Sequence, residues 1–148
     1  PKAKSGWQVF PEFNVSQSSK GKDLLHKLEK FFACGHIYAH NARNIKQENW
    51  DPLYKYCVRN RGELQRIIIP FFKKHKCFGK SKINDFERFV KVVEMMGKGK
   101  HLTNKGMVKI ARIAEKMTHR KPFKESSIYK FLLSSETIRE DPAKRDMI

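Results

Sequence analysis

The segment from Phe72 to Lys82 carries five lysines and no acidic residue. Lysine supplies a compact positive charge that suits the oxygens of a phosphate group. Lys80 and Lys82 lie just ahead of a predicted helix, and the N-terminus of a helix also attracts anions. The segment therefore predicts phosphate contact, with a solvated basic loop as the alternative.

Polar residues alternate with apolar ones in two segments, as expected for strands that expose one face. The exposed faces include amides and cations of the kinds that pair with base edges in the major groove. Those suited to base contact are Gln8, Asn14, Gln17, Lys55 and Arg59, and Glu12 and Ser16 accompany them. The pattern predicts a basic sheet that binds nucleic acid, with an ordinary solvated sheet face as the alternative.

Histidines and cysteines raise the question of a zinc site. Cys34 and Cys57 lie far apart in sequence, unlike the cysteine pairs of structural zinc sites, so we expect no zinc. His36 and His40 share one face of a predicted strand, which suits contact with a phosphate or a base. The cysteines are expected to fill the core, except Cys57, which its register turns outward.

The overall charge points to the class of partner. The 148-residue chain has 32 lysines and arginines against 15 acidic residues, a formal net charge of +17. Such an excess predicts a polyanionic partner. A membrane is not expected, because no run of about 18 apolar residues occurs. The 3 cysteines, with no signal peptide in view, predict an intracellular location.

The periodicity predicts the elements that position these residues, in an α+β fold of one domain. A strand over Trp7–Gln17 precedes a helix that Ser19 caps and Gly35 ends. A hairpin follows, with strands His36–His40 and Tyr54–Arg59. The predicted helices after it are Arg61–Ile69 (closed by Pro70), Ile83–Met96, Leu102–Met117 (opened by Thr103 or Asn104) and a short one over Ser126–Leu133.

The residues alone predict a binding protein rather than an enzyme. Paired carboxylates, a Ser-His-Asp set and a glycine-rich phosphate loop are all missing at persuasive spacing. A zinc-dependent RNA-binding module is a further alternative, but it needs Cys34, His36 and Cys57 within about 4 Å of one another.

Five strings give the sequence a family resemblance. Their order and spacing resemble those of LAGLIDADG homing endonucleases. The strings are GWQVFPEFNVSQ, FFACGHIY, IIIPFF, GKSKINDFERF and HLTNKGMVKI. The chain looks most similar to single-motif, homodimeric members encoded in introns. The resemblance covers roughly residues 6–121 of the single domain 1–148, and it leaves a C-terminal helix and tail over residues 122–148.

The resemblance implies an αββαββα unit whose antiparallel sheet lies in the DNA major groove, with helices packed on its other face. It implies a homodimer that cuts both DNA strands with Mg²⁺, in a bacterial cytoplasm, a chloroplast or a mitochondrion. Gln17 and Lys80 fall on the family's supporting catalytic positions. A further basic position falls near Gly21, so Lys20 or Lys22 has to replace it. The metal ligand is an acid of the motif helix, expected ahead of Trp7, so no ligand is assigned in this sequence.

The expected function is thus site-specific double-strand DNA cleavage of the intron-homing type. The alternative is a non-catalytic binder on the same scaffold, either an intron RNA-splicing maturase or a DNA-binding protein. The expected DNA-binding residues are Gln8, Glu12, Asn14, Ser16, Lys20, Lys22, His36, Tyr38, His40, Arg43, Lys55, Cys57, Arg59 and Lys82.

Overall fold

The structure, a computed structural model, describes residues 8–40, 51–76, 79–117, 130–131 and 133–134. The chain divides into two compact units, Phe10–Lys76 and Pro1–Val9 with Cys77–Ile148. The expected single domain over 1–148 stays a prediction. Among the described residues, no helix is long and apolar enough to cross a membrane.

The sheet belongs to the unit Phe10–Lys76 and is antiparallel. Its described strands are β1 (Phe13–Ser18), β2 (His36–His40) and β3 (Leu53–Val58), in the order β1-β3-β2. The predicted hairpin of β2 and β3 is confirmed by their pairing. The first strand begins later than predicted, at Phe13, because Pro11 has no N–H to donate to a ladder.

Helix α1 (Lys22–Phe32) packs on the apolar face of the sheet and buries Leu25 and Phe32. The prediction that Ser19 caps this helix is wrong. Ser19 instead begins a 3-10 turn, and its backbone N–H and hydroxyl both donate to Asp51 Oδ1. The helix ends at Phe32, earlier than the predicted stop at Gly35, and Ala33 follows it in the left-handed conformation.

The helix after the sheet does not stop at Pro70, contrary to the prediction. Helix α2 (Arg61–Glu63) leads into a π-helical turn (Leu64–Ile68) and then into α3 (Ile69–Lys74). Proline normally disrupts a helix by removing an N–H and crowding the carbonyl one turn earlier. The wider π turn directly before α3 lets Pro70 lie in its first turn, so the helix continues to Lys74.

An aromatic cluster forms the core of this unit together with Leu64 and Ile68. Tyr56 is fully buried, and its hydroxyl donates to the backbone oxygen of Cys34 at 2.8 Å. The ring of Phe13 lies 5.3 Å from that of Phe72, and the ring of Phe32 lies 5.0 Å from that of Phe71. These contacts fix the sheet against α1 and α3, which leaves its other face exposed.

The other unit contains α4 (Lys80–Gly97), a 3-10 turn (Lys100–Leu102) and α5 (Asn104–Glu115). Thr103 caps α5, as predicted, by accepting from the N–H of Gly106 at 3.1 Å. The core between α4 and α5 includes Val92, Met96 and Ile110. Of the predicted helix Ser126–Leu133, the structure describes helical residues 130–131 and 133–134 only.

Candidate nucleic-acid interface

The sheet register separates the side chains of the three strands into two faces. Residues directly opposite each other in an antiparallel pair project to the same side. The face away from α1 therefore consists of three rows across the strands: Asn14–Cys57–His36, Ser16–Lys55–Tyr38 and Ser18–Leu53–His40. These rows bring together seven of the fourteen residues expected to bind DNA. Asn14, Ser16, His36 and Tyr38 are exposed on this polar face, whereas the side chain of His40 is not described.

Glu12 precedes β1 at one end of the polar face, and its carboxylate joins several polar groups of that face. Its Oε1 accepts from Lys55 Nζ and, at 3.0 Å, from Asn14 Nδ2. Its Oε2 accepts from Arg59 Nε at 2.9 Å and from the thiol of Cys57 at 3.3 Å. One carboxylate thus holds two cations and one amide in fixed positions.

The carboxylate of Glu12 stays ionised because of these contacts. Burial raises its pKa, but hydrogen bonds from Lys55, Arg59 and Cys57 outweigh burial and lower the pKa to about 2. Glu12 therefore places a permanent negative charge within a basic surface. The hydrogen bond between Arg59 and Glu12 also raises the pKa of Arg59 above its usual range.

The guanidinium of Arg59 is held by two contacts and remains accessible to solvent. Its guanidinium carbon lies 5.5 Å from the centre of the Tyr38 ring, a distance suited to a cation–π contact. Its side chain nevertheless keeps 59% of its surface exposed. A planar cation that is fixed by a carboxylate and an aromatic ring can still donate to an incoming ligand.

Cys57 lies on the polar face, but the expectation that it is exposed there is wrong, because 2% of its surface is exposed. Glu12 covers it and accepts a hydrogen bond from its thiol. Burial and the Glu12 hydrogen bond raise the pKa of Cys57, so it remains a neutral thiol. Sequence periodicity gave the correct face but not the covering side chain, which lies outside the strand.

Gln17 does not lie on the polar face, contrary to the expectation. It pairs with Tyr54 in the row that faces α1, and it is half-buried. Its side chain packs against the backbone of Gly21 at the start of that helix. Lys22 lies on the same side of the sheet, where its Nζ is 4.6 Å from the centre of the Tyr54 ring.

The remaining expected residues lie outside the sheet. Lys20 is exposed in the 3-10 turn that precedes α1, and Gln8 is exposed ahead of β1. Lys80 and Lys82 are exposed in the first turn of α4, slightly further into the helix than predicted. That first turn contains no acidic residue, so the helix N-terminus and two lysines together favour an anion. Arg43 lies outside the described residues.

A zinc site does not assemble in the part of the chain that the structure describes. No group of three or more His, Cys, Asp or Glu side chains there could hold a metal ion. Cys34 is buried, and its sulfur lies 3.9 Å from the Tyr56 hydroxyl. The expectation that no zinc is bound stays a prediction.

Two structural features have no counterpart in the sequence-based prediction. The first is the pair of hydrogen bonds from Ser19 to Asp51, which join residues far apart in sequence. These hydrogen bonds lower the pKa of Asp51. The second is the set of contacts that Glu12 makes with Lys55 and Arg59, which depend on the register between β1 and β3. The alternation of Glu12 with Asn14 indicated their common face, but no local signal indicated the four donors around the carboxylate.

Comparison with known proteins gives consistent matches. Residues 1–93 match the family described as LAGLIDADG endonuclease. The chain is 33% identical over 109 residues to the protein named probable intron-encoded endonuclease 2 of Neurospora crassa. That alignment covers 74% of this chain but only 22% of the Neurospora protein.

Solved structures agree with the sequence matches. The crystal structure of the homing endonuclease I-TnaI aligns with a TM-score of 0.73 and 32% identity, over 89% of this chain and 80% of that one. The LAGLIDADG homing endonuclease I-SmaMI, in a structure bound to cleaved DNA, aligns with a TM-score of 0.69 and 29% identity. The I-SmaMI alignment covers 83% of this chain and 39% of that one.

Proposed function

Because this chain belongs to the LAGLIDADG endonuclease family, we propose that it forms part of a site-specific double-strand DNA endonuclease of the intron-homing type. The chain spans about a fifth of the length of its curated Neurospora relative, so the proposal concerns the intact protein. The observation that carries it is the polar face of the sheet, where exposed amide, hydroxyl and imidazole groups accompany Lys55 and Arg59.

The polar face has the chemistry required for recognition in the major groove. A two-stranded or wider β-ribbon fits that groove, and arginine, lysine and asparagine are the side chains that most often pair with base edges there. Asn14, Ser16 and His36 are exposed on this face, and Arg59 is exposed directly after β3. The net charge of +17 supplies the attraction to phosphates that a nuclease needs before it selects a sequence.

For cleavage, we assign supporting roles to Gln17 and Lys80. A glutamine amide can donate and accept at once, so Gln17 is suited to orient a water or a phosphate oxygen. The exposed ammonium group of Lys80 is suited to stabilise negative charge that develops on the scissile phosphate. The two residues lie in different compact units, and each role is the one that the family resemblance implies. The amide of Gln17 acts from the side of the sheet that faces α1.

The family implies Mg²⁺ as cofactor, and such an ion would supply an activated water and a positive charge on the phosphate. The described residues contain no group of three acidic, histidine or cysteine side chains that could hold it. These residues do not make a magnesium site by themselves, and the metal ligand remains unassigned.

We also propose that two copies of the chain act together. The chain covers 39% of the I-SmaMI chain, and no internal repeat is visible in its sequence. A second copy would supply a second polar face for the other half of a DNA site. The free thiols of Cys34 and Cys57 favour a reducing compartment, either a bacterial cytoplasm or an organelle.

The proposal is tested by incubating the intact protein with a library of randomised DNA duplexes in Mg²⁺. New DNA ends are captured by ligation and sequenced. We expect cleavage at one sequence motif, with breaks at fixed positions in both strands. Selective binding without new ends would instead favour a non-catalytic DNA-binding protein. Retention of intron RNA with no preference among duplexes would favour a maturase.

A further inference from the structure

We propose that Glu12 is a positioning residue that orients Arg59 toward a guanine and does not itself contact DNA. This inference rests on the proposed function, because it assumes that the polar face lies against a duplex. It assigns a specific role to a carboxylate that contacts several polar groups of that face.

The first argument is the geometry of the guanidinium. Glu12 accepts from Arg59 through Nε, at 2.9 Å, on one edge of the planar group. The four N–H bonds of the two Nη nitrogens remain for a ligand. Two of these N–H bonds can donate together to O6 and N7 of guanine in the major groove.

The second argument is that two different contacts restrict the same side chain. The Glu12 carboxylate fixes one edge of the guanidinium, and the Tyr38 ring, 5.5 Å away, limits rotation of its plane. Arg59 still exposes 59% of its side-chain surface. Because the cation is ordered before DNA binds, less conformational entropy is lost when it pairs with a base.

The third argument excludes Glu12 as a direct contact to a base. A carboxylate has about four lone-pair positions. The donors on Glu12 are Lys55 and Asn14 at Oε1, and Arg59 and Cys57 at Oε2. A cytosine amino group would have to displace one of them.

The fourth argument is electrostatic. A carboxylate with 23% of its side chain exposed repels nearby phosphates, so it weakens binding that depends on charge alone. Glu12 therefore opposes non-specific binding while it improves the geometry of specific binding. Removing its charge should separate these two effects.

The experiment compares sequence preferences selected from a randomised duplex library without cleavage. The variants are Glu12→Gln, Arg59→Ala and, as a control for loss of one negative charge, Glu87→Gln on the exposed surface of α4. We expect the unaltered chain to select guanine at one position. Arg59→Ala should lose that preference, and Glu12→Gln should reduce it at least 10-fold at the same position. Glu87→Gln should leave every position unchanged.

A second readout follows Arg59 in the free protein. The Nε–H of Arg59 should give a protected nuclear magnetic resonance signal near neutral pH that disappears in Glu12→Gln. Affinity of Glu12→Gln for non-selected DNA should stay equal or rise by a few-fold. If Glu12→Gln does not fold, Glu12→Asp decides the question, because it keeps the charge but withdraws the carboxylate by one methylene.

The outcomes distinguish this inference from the proposed function. If the unaltered chain selects a motif and the variant of Glu12 selects the same one, only the inference is overturned. If the variant loses preference at a base pair that Arg59→Ala leaves intact, Glu12 is a direct contact and the inference is also wrong. If the unaltered chain selects no sequence, sequence recognition fails, and the role of Glu12 fails with it.

Discussion

The side chain of Gln17 packs so closely against Gly21 that a Cβ at position 21 would lie 2.6 Å from Gln17 Oε1 and 3.0 Å from its Cβ. The absence of a side chain at Gly21 thus determines where the carboxamide of Gln17 lies. A basic residue at this position, which the family resemblance implies, would displace Gln17. Lys22 is one of the two lysines expected to replace this basic residue. Its ammonium group is not free to do so, because it lies over the Tyr54 ring.

Gly21→Ala should therefore move the Gln17 amide at a moderate cost in stability. The atom nearest the new methyl group, Gln17 Oε1, is the end of a flexible side chain, and Gly21 already has a negative φ of -97°. Gln17 Cβ, at 3.0 Å, must also shift, so we expect the free energy of unfolding to fall by about 1 kcal/mol. Cleavage by the intact protein should fall at least 10-fold while duplex affinity is kept. Unchanged cleavage would show that the position of Gln17 does not matter.

Gly35→Ala is the control for this change. Gly35 has a φ of +71°, and a Cβ there would meet the backbone oxygen of Cys57 at 2.7 Å. Neither the backbone conformation nor a backbone oxygen of the central strand can adjust cheaply. We expect a loss of about 2 kcal/mol or more in chemical denaturation, from strain and the clash together.

Local patterns were sufficient to predict most elements of the fold but not the direction of every functional side chain. Alternation identified β2 and β3, and the spacing of apolar residues identified α4 and α5, because burial of one face imposes those periods. The resemblance assigned Gln17 a role, but the register with Tyr54 turns it toward α1. The hydrogen bonds of Glu12 depend on pairing between distant strands, which no local pattern contains.

Stability should decrease in acid partly because of Glu12. Its pKa in the folded protein is about 2, against an ordinary value of 4.5. A lowered folded pKa stabilises the protein above the ordinary value, and this contribution is lost as the pH falls from about 4.5 toward 2. In Glu12→Gln we expect a loss of about 1–3 kcal/mol at neutral pH that shrinks through this window. Urea denaturation at a series of pH values measures it, and a constant difference down to the lowest pH would contradict it.

Binding to duplex DNA should weaken steeply with salt. Each phosphate neutralised by a lysine or arginine releases a counterion, and the slope of log affinity against log salt is about −0.9 per contact. With a net charge of +17, the chain has cations for many such contacts. If six phosphates are contacted, affinity should fall about 1000-fold between roughly 50 and 200 mM salt. Fluorescence anisotropy with a labelled duplex measures the slope, and a flat response would show that phosphates contribute little.

Removal of metal by a chelator should leave the folded chain unchanged. Cys34 is buried beside Tyr56, and Cys57 donates to Glu12, so neither thiol is arranged as a ligand. Burial raises the pKa of both thiols, which disfavours the thiolate that zinc requires. We expect identical melting temperatures with and without EDTA. One zinc per chain in elemental analysis would contradict this and revive the zinc-dependent RNA module.

Lys80 and Lys74 offer a matched pair for testing whether one lysine contributes to cleavage. Both are exposed, Lys80 as the first residue of α4 and Lys74 as the last residue of α3. As positive charges near DNA they should contribute similarly to affinity. Only Lys80 falls on the position to which the family resemblance assigns a catalytic role. The two variants therefore separate a catalytic contribution from a general electrostatic one.

In the intact protein, Lys80→Met should leave duplex affinity within a few-fold, because one cation among many is lost. Its single-turnover cleavage should fall by roughly 100-fold, the scale expected when a group that stabilises transition-state charge is removed. Lys74→Met should also change affinity by a few-fold, but its cleavage should fall only by the same small factor. Affinity is measured in Ca²⁺ and cleavage in Mg²⁺, so that the loss in each step is obtained separately. Parallel losses in both variants would reduce Lys80 to an ordinary phosphate contact.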